Sequence, residues 1–595
     1  MIVLGYNGFT RGAELFGRLF GATGVDRNGL VGHDAAAALV VDGELVAAVE
    51  EERLSRVKKT SDFPERAIAW CLETAGLGLD DVDVFAFPWR FSEAVGEEMI
   101  AEIADGGLPV AAKFDALRRT GELYTGMLSP EAVHADFVER TGYALDPNRL
   151  ALVPHHLAHL MCGAYLAGGG DAAFVVSDGR AEALSSVMGE LRGGVVHLLD
   201  GTSVPMTSSL GVAYGRITRY LGFVPNNDEY KVMGLAAYGP PPRRNPLLDA
   251  VVRLRENGAY TIDIPRDPTA YYALFDRLFG CGGGSGAREE FDFRVKVAGM
   301  AQHMAETVTS HQVRALTAAS GLDTLLFEGG LALNCVANTK MLERSSFTGM
   351  EVSFGASDPG VAIGAAVRTA GLRNRPADAV TTPYLGPSYD EAHIREALEE
   401  YGDRVTWQEE PDAASVTART AELLAEKNVV GWFQGRAEFG PRALGNRSIL
   451  ANPAFPDIKD VINLRVKHRE PFRPFAPVVL ASEAPRVFEM GKKASSPYMT
   501  FVFPVREEYR SRIPGACHVD GTARIQTVDD RQNPPLAELL RAFTARTDVP
   551  CLLNTSFNVA GEPIVCSPRD ALECFLTTEI DHLVIDRFVV TKKGH

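Results

Sequence analysis

The sequence has no Cys-x-x-Cys pair and no zinc-ribbon spacing. Its eight cysteines, Cys71, Cys162, Cys281, Cys335, Cys517, Cys551, Cys566 and Cys574, stand singly. That excludes a zinc ribbon or a dithiol redox module. It leaves reduced thiols packed as small apolar groups, as in a cytoplasmic protein. Positive charge is in deficit, with 60 Lys and Arg against 77 Asp and Glu and a formal charge of −17. Such a surface disfavours non-specific binding to nucleic acid or anionic membrane, so no nucleic-acid partner is expected. No run approaches about 18 consecutive apolar residues, so no membrane span is expected. The opening MIVLGYNGFTRG lacks a basic stretch followed by an apolar one, so no signal peptide is expected. Short-period repeats are absent too. What the chain does have is material for cores: 595 residues, 46% hydrophobic and 23% charged. This is not a collagen-like, coiled-coil or mainly disordered chain, and its length favours two or more domains.

Residues 1–8 read as a strand, and 36–50 as a hairpin about Asp42-Gly43, a type I′ turn signal. Between Asn7 and His33 the chain is Gly-rich and aperiodic, which predicts a loop insertion. Residues 64–76 start with Pro, carry helical apolar spacing and stop at Gly. AAFVVS after Gly170 predicts a buried strand, continued in one sheet by SSVMGEL and VVHLLDG. A Gly-rich loop is expected at 280–287, a helix at 297–319, and a strand, Gly turn and helix in LLFEGGLALNCVANTKML. The polar, Pro-containing stretch at 373–384 predicts a linker. The result is an α/β chain of two domains, 1–375 and 385–595. The second has strands VVGWF, CLLN and HLVIDRFVVT and helices TARTAELLAEK and RDALECFL.

In the first domain the sharpest local pattern is Pro154-His155-His156-Leu157-Ala158-His159. Four residues apart, His155 and His159 share a helix face; they fit one metal ion, or a polar helix start. Asp178 and Asp358 end strand-like segments beside Gly turns, as metal or phosphate ligands and ordinary turn formers both do. Gly329 and Gly330, followed by Asn334, form a Gly-Gly turn that lets backbone N–H groups approach a phosphate or adenosine. His33 precedes the hairpin and is a candidate general base.

In the second domain the local charge inverts. Arg436, Arg442, Arg447, Arg465, Lys467, Arg469 and Arg473 fall within 38 residues, punctuated by Gly440, Pro441, Gly445 and Pro474. Planar guanidinium groups on loops suit phosphate and carboxylate oxygens, and a small polyphosphate pocket fits better than nucleic acid. Arg524 follows a turn. Asn554 and Ser556 end a strand in small polar groups able to hold phosphate or a carbamoyl-sized amide.

In this order, His33-Asp34, EEERLSRVKK, HHLAH, KVMGLAAYG, EGGLALN, DPGVAIGAA, GRAEFGPRALGNRSILANP, VKHREPFRPFAPVVL, DGTARIQTV and LNTSFNVAGEPIV resemble the O-carbamoyltransferases of antibiotic and nodulation-factor biosynthesis, over nearly the whole chain. The resemblance implies an actin-like (Kae1-like) first domain that binds metal and nucleotide and transfers the carbamoyl group. It implies an α+β (YrdC-like) second domain that makes carbamoyladenylate from carbamoyl phosphate and ATP with Mg. Carried onto this chain, it makes His155, His159 and Asp358 metal ligands, with Asp178 near the metal or a nucleotide phosphate and iron(II) as the metal. His33 becomes the base toward a small-molecule hydroxyl acceptor, a natural product. Gly329, Gly330 and Asn334 fall on the adenosine side. Arg442, Lys467, Arg473, Arg524 and Ser556 serve carbamoyl phosphate and ATP. A homodimer is left open.

Two features depart from the family pattern. The segment Gly8 to Gly32 is longer than in aminoglycoside-type members and adjoins His33, where it would shape a pocket for a larger or more apolar acceptor. Arg180-Ala181 replaces a Gly-containing phosphate turn. The alternatives weighed are a hydrogenase-maturation carbamoyltransferase, whose zinc motifs are missing, and tRNA threonylcarbamoylation, against which the net charge argues. A small-molecule kinase of the actin-like class and a catalytically decayed nucleotide sensor complete them.

Overall fold

The computed structural model describes residues 1–20, 31–91, 93–105, 110–126, 129–280, 290–371 and 382–594. Most of the Gly-rich tract at 280–287 and of the linker at 373–384 lies outside the described residues. The chain divides into two compact units, Met1–Ser55 with Lys59–Ala377, and Arg56–Lys58 with Asp378–His595. Among the described residues no helix is long and apolar enough to cross a membrane.

The first unit opens with β1 (Ile2–Asn7), β2 (Ala36–Val41), β3 (Glu44–Glu50), β4 (Val84–Phe87) and β5 (Leu150–Leu152). They lie in the order β3-β2-β1-β4-β5. β1 pairs antiparallel with β2, and β2 with β3; β4 runs parallel to β1, and β5 to β4. Asp42 and Gly43 both take positive φ, 49° and 94°, as the expected type I′ turn requires. Against one face of this sheet packs an aromatic core of Tyr6, Phe63, Phe85, Phe87 and Phe137.

The rest of the unit holds β6 (Ala172–Ser177), β7 (Leu184–Arg192), β8 (Val195–Leu198), the short β9 (Val204–Pro205), a ribbon of β10 (Val252–Leu254) and β11 (Tyr260–Ile262), then β12 (Thr324–Glu328) and β13 (Gly349–Glu351). The second sheet runs β13-β12-β6-β7-β8, with β9 beside β7. Here β6/β7 and β7/β8 are antiparallel, and β12/β6 and β12/β13 parallel. Strand for strand this repeats the topology of the first sheet, so the unit is a duplicated α/β fold, the layout expected of an actin-like domain. In each repeat a helix follows the fifth strand: His155–Leu166 after β5 and Gly360–Thr369 after β13.

The two helices pack at backbone distance. A Cβ on Gly364 would stand 1.7 Å from the Ala158 carbonyl oxygen, and one on Gly5 of β1 would stand 2.0 Å from the Ala362 carbonyl oxygen. Glycine is required at both positions because only hydrogen fits there.

One expectation fails. The segment expected as a loop from Gly8 to Gly32 is helical over Thr10–Phe20, while residues 21–30 lie outside the described residues. Its Arg, Ala, Glu and Leu residues favour helix enough to offset about 1 kcal/mol for each of Gly12 and Gly17. Leu15, Phe16, Leu19 and Phe20 recur at the i, i+4 spacing of a helix.

The second unit is built from β14 (Val405–Glu409), β15 (Val430–Phe433), β16 (Arg447–Ala451), β17 (Ala476–Leu480), β18 (Val502–Pro504), β19 (Thr522–Arg524), β20 (Gln526–Val528), β21 (Cys551–Ser556), β22 (His582–Ile585) and β23 (Phe588–Lys592). Eight of them form one mixed sheet, β14-β23-β22-β15-β16-β21-β17-β20, and β18 pairs with β19 separately. HLVIDRFVVT is a hairpin rather than one strand, because Asp586 turns the chain at φ 49°. The helices Ala413–Ala425, Pro534–Thr547 and Pro568–Thr577 complete this α+β unit.

Candidate functional site

In the first unit four buried side chains converge. His155 and His159 stand one turn apart at the start of their helix, Asp178 follows β6, and Asp358 precedes the helix Gly360–Thr369. One ligand atom from each lies within 4.8 Å of the others. His155 Nε2 is 3.6 Å from Asp178 Oδ2 and 3.7 Å from Asp358 Oδ2; His159 Nε2 is 3.8 Å from Asp358 Oδ1. These separations are too long for hydrogen bonds. Among the described residues, His155 Nε2 and both ring nitrogens of His159 have no hydrogen-bond partner. Buried polar atoms left this way cost about 1–3 kcal/mol each, and a divalent cation among them would remove that cost. Two imidazoles with two carboxylates suit a first-row transition ion.

The surroundings agree with a ligand role. His155 Nδ1 lies 3.1 Å from the Pro88 carbonyl oxygen, which can only accept. Nδ1 therefore carries a proton, which turns Nε2 toward the carboxylates; against burial, Asp178 and then Asp358 raise the His155 pKa, and a cation among the ligands would take the place of the Nε2 proton. The His155 ring stacks on Trp89 with centroids 3.9 Å apart. Burial and the neighbouring His155 push His159 far below its ordinary pKa, so it is a neutral imidazole, the form that binds metal. Burial opposes ionisation of Asp178, but the neighbouring His155, His159 and His33 imidazoles hold its pKa low. The Gly330 N–H donates to Asp178 Oδ1 at 2.8 Å.

His33 borders the cluster. Its Nε2 is 3.1 Å from Asp358 Oδ2 and its Nδ1 3.2 Å from Asp34 Oδ2. Asp34 in turn accepts from Lys59 Nζ at 2.8 and 3.0 Å. Burial alone would lower the His33 pKa; Asp358 and Asp34 overcome it and raise it to about 9. A cation on the four ligands would cancel the Asp358 charge and remove part of that rise. The His33 carbonyl is tied to Asn7 Nδ2 at 2.9 Å.

The Gly329-Gly330 turn therefore meets Asp178 directly. Asn334 instead caps the helix Cys335–Glu343, its Oδ1 accepting from the Ala337 N–H at 3.1 Å while its Nδ2 donates to Gln302 at 2.9 Å.

In the second unit Lys467 follows a π-helical turn, Ile462–Val466, and is buried. Its Nζ lies within hydrogen-bond distance of four oxygens, Ser556 O at 2.6 Å, Ser556 Oγ at 3.2 Å, Asn558 O at 2.7 Å and Asn558 Oδ1 at 2.6 Å. Burial, then the nearby Arg469, push its pKa well down. Sheet register gathers the other expected residues at one end of the sheet. Asn554 lies opposite Leu450 on one side and Ala476 on the other. Arg473 precedes β17 and Arg524 precedes β20, its parallel neighbour. Asn554 Nδ2 reaches the Ala443 carbonyl oxygen at 3.4 Å, which brings in the loop of Arg442.

Two arginines of the basic run do other work. Arg447 is fully buried, donating to the carbonyls of Gln434, Asn446, Pro387 and Gly435 at 2.8–3.1 Å, and Arg436 binds those of Gly386 and Leu385. They brace the loop from within.

Two carboxylates escaped sequence reasoning. Glu438 Oε1 accepts from the N–H groups of Leu444, Asn446 and Arg447 at 2.8, 2.7 and 3.1 Å, shaping the Arg442 loop. An acid inside GRAEFGPRALGN was the signal, since clustered N–H groups of a Gly/Pro loop need an acceptor. Glu182, in the turn after Asp178, accepts from the N–H groups of His155 and Arg90.

Residues 26–367 match the family Carbamoyltransferase N-terminus, and residues 421–592 match Carbamoyltransferase C-terminus. The nodulation protein NolNO of Sinorhizobium fredii is 37% identical over 568 residues, covering 94% of this chain and 79% of that protein. The 3'-hydroxymethylcephem-O-carbamoyltransferase of Streptomyces clavuligerus is 31% identical over 366 residues, 60% of this chain and 64% of that protein. Among solved structures, component A of Acidaminococcus fermentans (R)-2-hydroxyglutaryl-CoA dehydratase aligns over 62% of this chain and 97% of that one, with 11% identity and a TM-score of 0.31.

Proposed function

Because the chain belongs to the O-carbamoyltransferase family and is a carbamoyltransferase, we propose that it carries out ATP-dependent O-carbamoylation of a small-molecule hydroxyl, with carbamoyl phosphate as donor and carbamoyladenylate as intermediate. The observation that carries this reading is the convergence of His155, His159, Asp178 and Asp358 with unpartnered imidazole nitrogens, bordered by His33. The second unit forms the adenylate: water cleaves carbamoyl phosphate to carbamate and inorganic phosphate, and a carbamate oxygen then bonds the α-phosphorus of ATP as the bond to pyrophosphate breaks. Arg442, Arg473 and Arg524 hold the phosphates of ATP, with its Mg, and of carbamoyl phosphate, while Lys467, Asn554 and Ser556 orient the carbamoyl end.

The first unit transfers the group. His155, His159, Asp178 and Asp358 hold a divalent metal, iron(II) by the family resemblance. When bound, such a metal is a Lewis acid that polarises a carbonyl. The Gly330 N–H keeps Asp178 aimed, and the Gly329–Asn334 turn faces the adenosine. His33, oriented through Nδ1 by Asp34 and Lys59, takes the acceptor proton at Nε2. The acceptor oxygen then bonds the carbamoyl carbon as the bond to the AMP phosphate oxygen breaks. NolNO and the cephem enzyme are named for nodulation and a hydroxymethylcephem. By analogy the acceptor here is a natural-product hydroxyl.

The test is incubation with ATP, Mg and carbamoyl phosphate without acceptor, followed by mass spectrometry. Pyrophosphate and carbamoyl-AMP are expected from wild type and from His33→Ala, and neither from Lys467→Met. ADP in place of pyrophosphate would overturn the reading in favour of a kinase.

A further inference from the structure

The helix that carries His155 and His159 begins without a cap of its own. Pro154 occupies its N-cap and makes no side-chain hydrogen bond to the first turn. The first N–H groups of a helix need acceptors from elsewhere. For His155 that acceptor is Glu182, whose Oε1 takes the His155 N–H at 3.0 Å. The same oxygen takes the Arg90 N–H at 2.9 Å. Arg90 closes the tripeptide whose first residue, Pro88, offers the carbonyl that holds His155 Nδ1, and whose second, Trp89, stacks on the His155 ring. One carboxylate oxygen therefore ties together the backbone of His155 and the segment that sets the rotation and tautomer of its imidazole. Glu182 itself is placed by the turn after β6, where Asp178 N–H bonds Ser185 O and Ala181 N–H bonds Leu184 O, each at 2.8 Å. That turn supplies one candidate ligand, Asp178, and the brace for another.

We propose that Glu182 is a positioning residue for the metal centre: by bridging the His155 and Arg90 N–H groups it holds the Pro88 carbonyl on His155 Nδ1 and so keeps Nε2 available as a ligand. It rests on the reading that the four residues hold a metal, and it concerns acceptor geometry rather than charge. Groups that orient a ligand histidine typically change metal affinity about 10- to 100-fold when removed.

The experiment compares full-length wild type with Glu182→Ala, Glu182→Asp and Glu182→Gln. Cobalt(II) is the probe, titrated under anaerobic conditions and followed by its visible bands. In parallel, ring 15N shifts are recorded on metal-free histidine-labelled protein at a pH alkaline enough for the His155 ring to be neutral, with His155 assigned by its loss in His155→Gln. E182Q keeps the Oε1 acceptor and is expected to bind cobalt within about threefold of wild type, with Nδ1 protonated. E182A removes the acceptor and E182D withdraws it. Both are expected to bind about 10- to 100-fold more weakly, with a mixed His155 tautomer. Should E182A fail to fold, E182D and E182Q carry the comparison. Wild-type affinity and tautomer in E182D, or an E182Q as weak as E182A, would overturn the proposal. If wild type binds no cobalt, the metal reading is what fails, and the tautomer comparison alone decides the role of Glu182.

Discussion

Gly364→Ala tests whether the helix contact sets the ligand geometry. The added Cβ would lie 1.7 Å from the Ala158 carbonyl oxygen, 2.6 Å from its carbonyl carbon and 3.0 Å from the Cys162 nitrogen. All three are backbone atoms, so no rotamer change relieves the clash. Ordinary contact begins near 3.5 Å, so the helices must part by roughly 1.8 Å. Overpacking costs about 1–3 kcal/mol where side chains adjust, and a rigid backbone puts this case at about 3. The same movement reaches the ligands, because Asp358 lies just before the start of one helix and His155 and His159 in the first turns of the other. Metal–ligand distances tolerate only about 0.2 Å. The variant should therefore unfold at lower urea concentration and bind cobalt(II) at least about 100-fold more weakly, some 2.7 kcal/mol. Gly299→Ala is the control: it lies inside the helix Phe291–Ala319, and its Cβ would meet nothing within 4 Å. There alanine should raise stability by about 0.5–1 kcal/mol with unchanged cobalt binding. A Gly364→Ala protein with wild-type cobalt affinity and stability would refute the argument that this contact sets the spacing.

Two further outcomes are expected. Glu328 accepts from the Ser353 N–H and Oγ–H, each at 2.9 Å, and burial pushes its pKa up to about 8 from 4.5. The folded state then keeps a proton that the unfolded state releases, so stability should fall between about pH 5 and pH 8, by at most about 1.4 kcal/mol per pH unit. Urea unfolding at pH 6 and pH 8.5 should show this in wild type and not in Glu328→Gln; equal slopes would contradict it. Glu438→Ala strips the acceptor from three buried N–H groups, so it should cost about 3 kcal/mol or more and slow carbamoyl-phosphate-dependent pyrophosphate release at least about tenfold, with Glu438→Gln largely preserved. Unchanged pyrophosphate release in Glu438→Ala would show that the loop holds without it.

The parts of this molecule legible in the sequence are those that local chemistry dictates. Asp42-Gly43 marked its hairpin because the turn needs two positive φ values. His155 and His159 marked a shared face because four residues make one helical turn. That Asp178 and Asp358 would meet them could be read only through the family resemblance, since the meeting spans long loops of chain. The helix Thr10–Phe20 was hidden by its glycines. Arg436 and Arg447 were indistinguishable from the other arginines of the basic run, because whether a guanidinium meets a phosphate or a backbone carbonyl is decided by tertiary packing. Glu182 and Glu438 were invisible for the same reason: each serves N–H groups whose need for an acceptor arises only once the fold exists.

The repeated topology of the first unit has a mechanical consequence. His155 and His159 follow the fifth strand of one repeat and Asp358 follows the fifth strand of the other, while Asp178 follows the first strand of the second repeat. The four side chains thus sit on a seam, two from each half. A cation held there acts as a rivet, and any hinge motion of one half against the other must stretch it or wait for its release. Loading such a centre would then add to the backbone packing that already joins the halves, and a strain that parted them would loosen the ligand set.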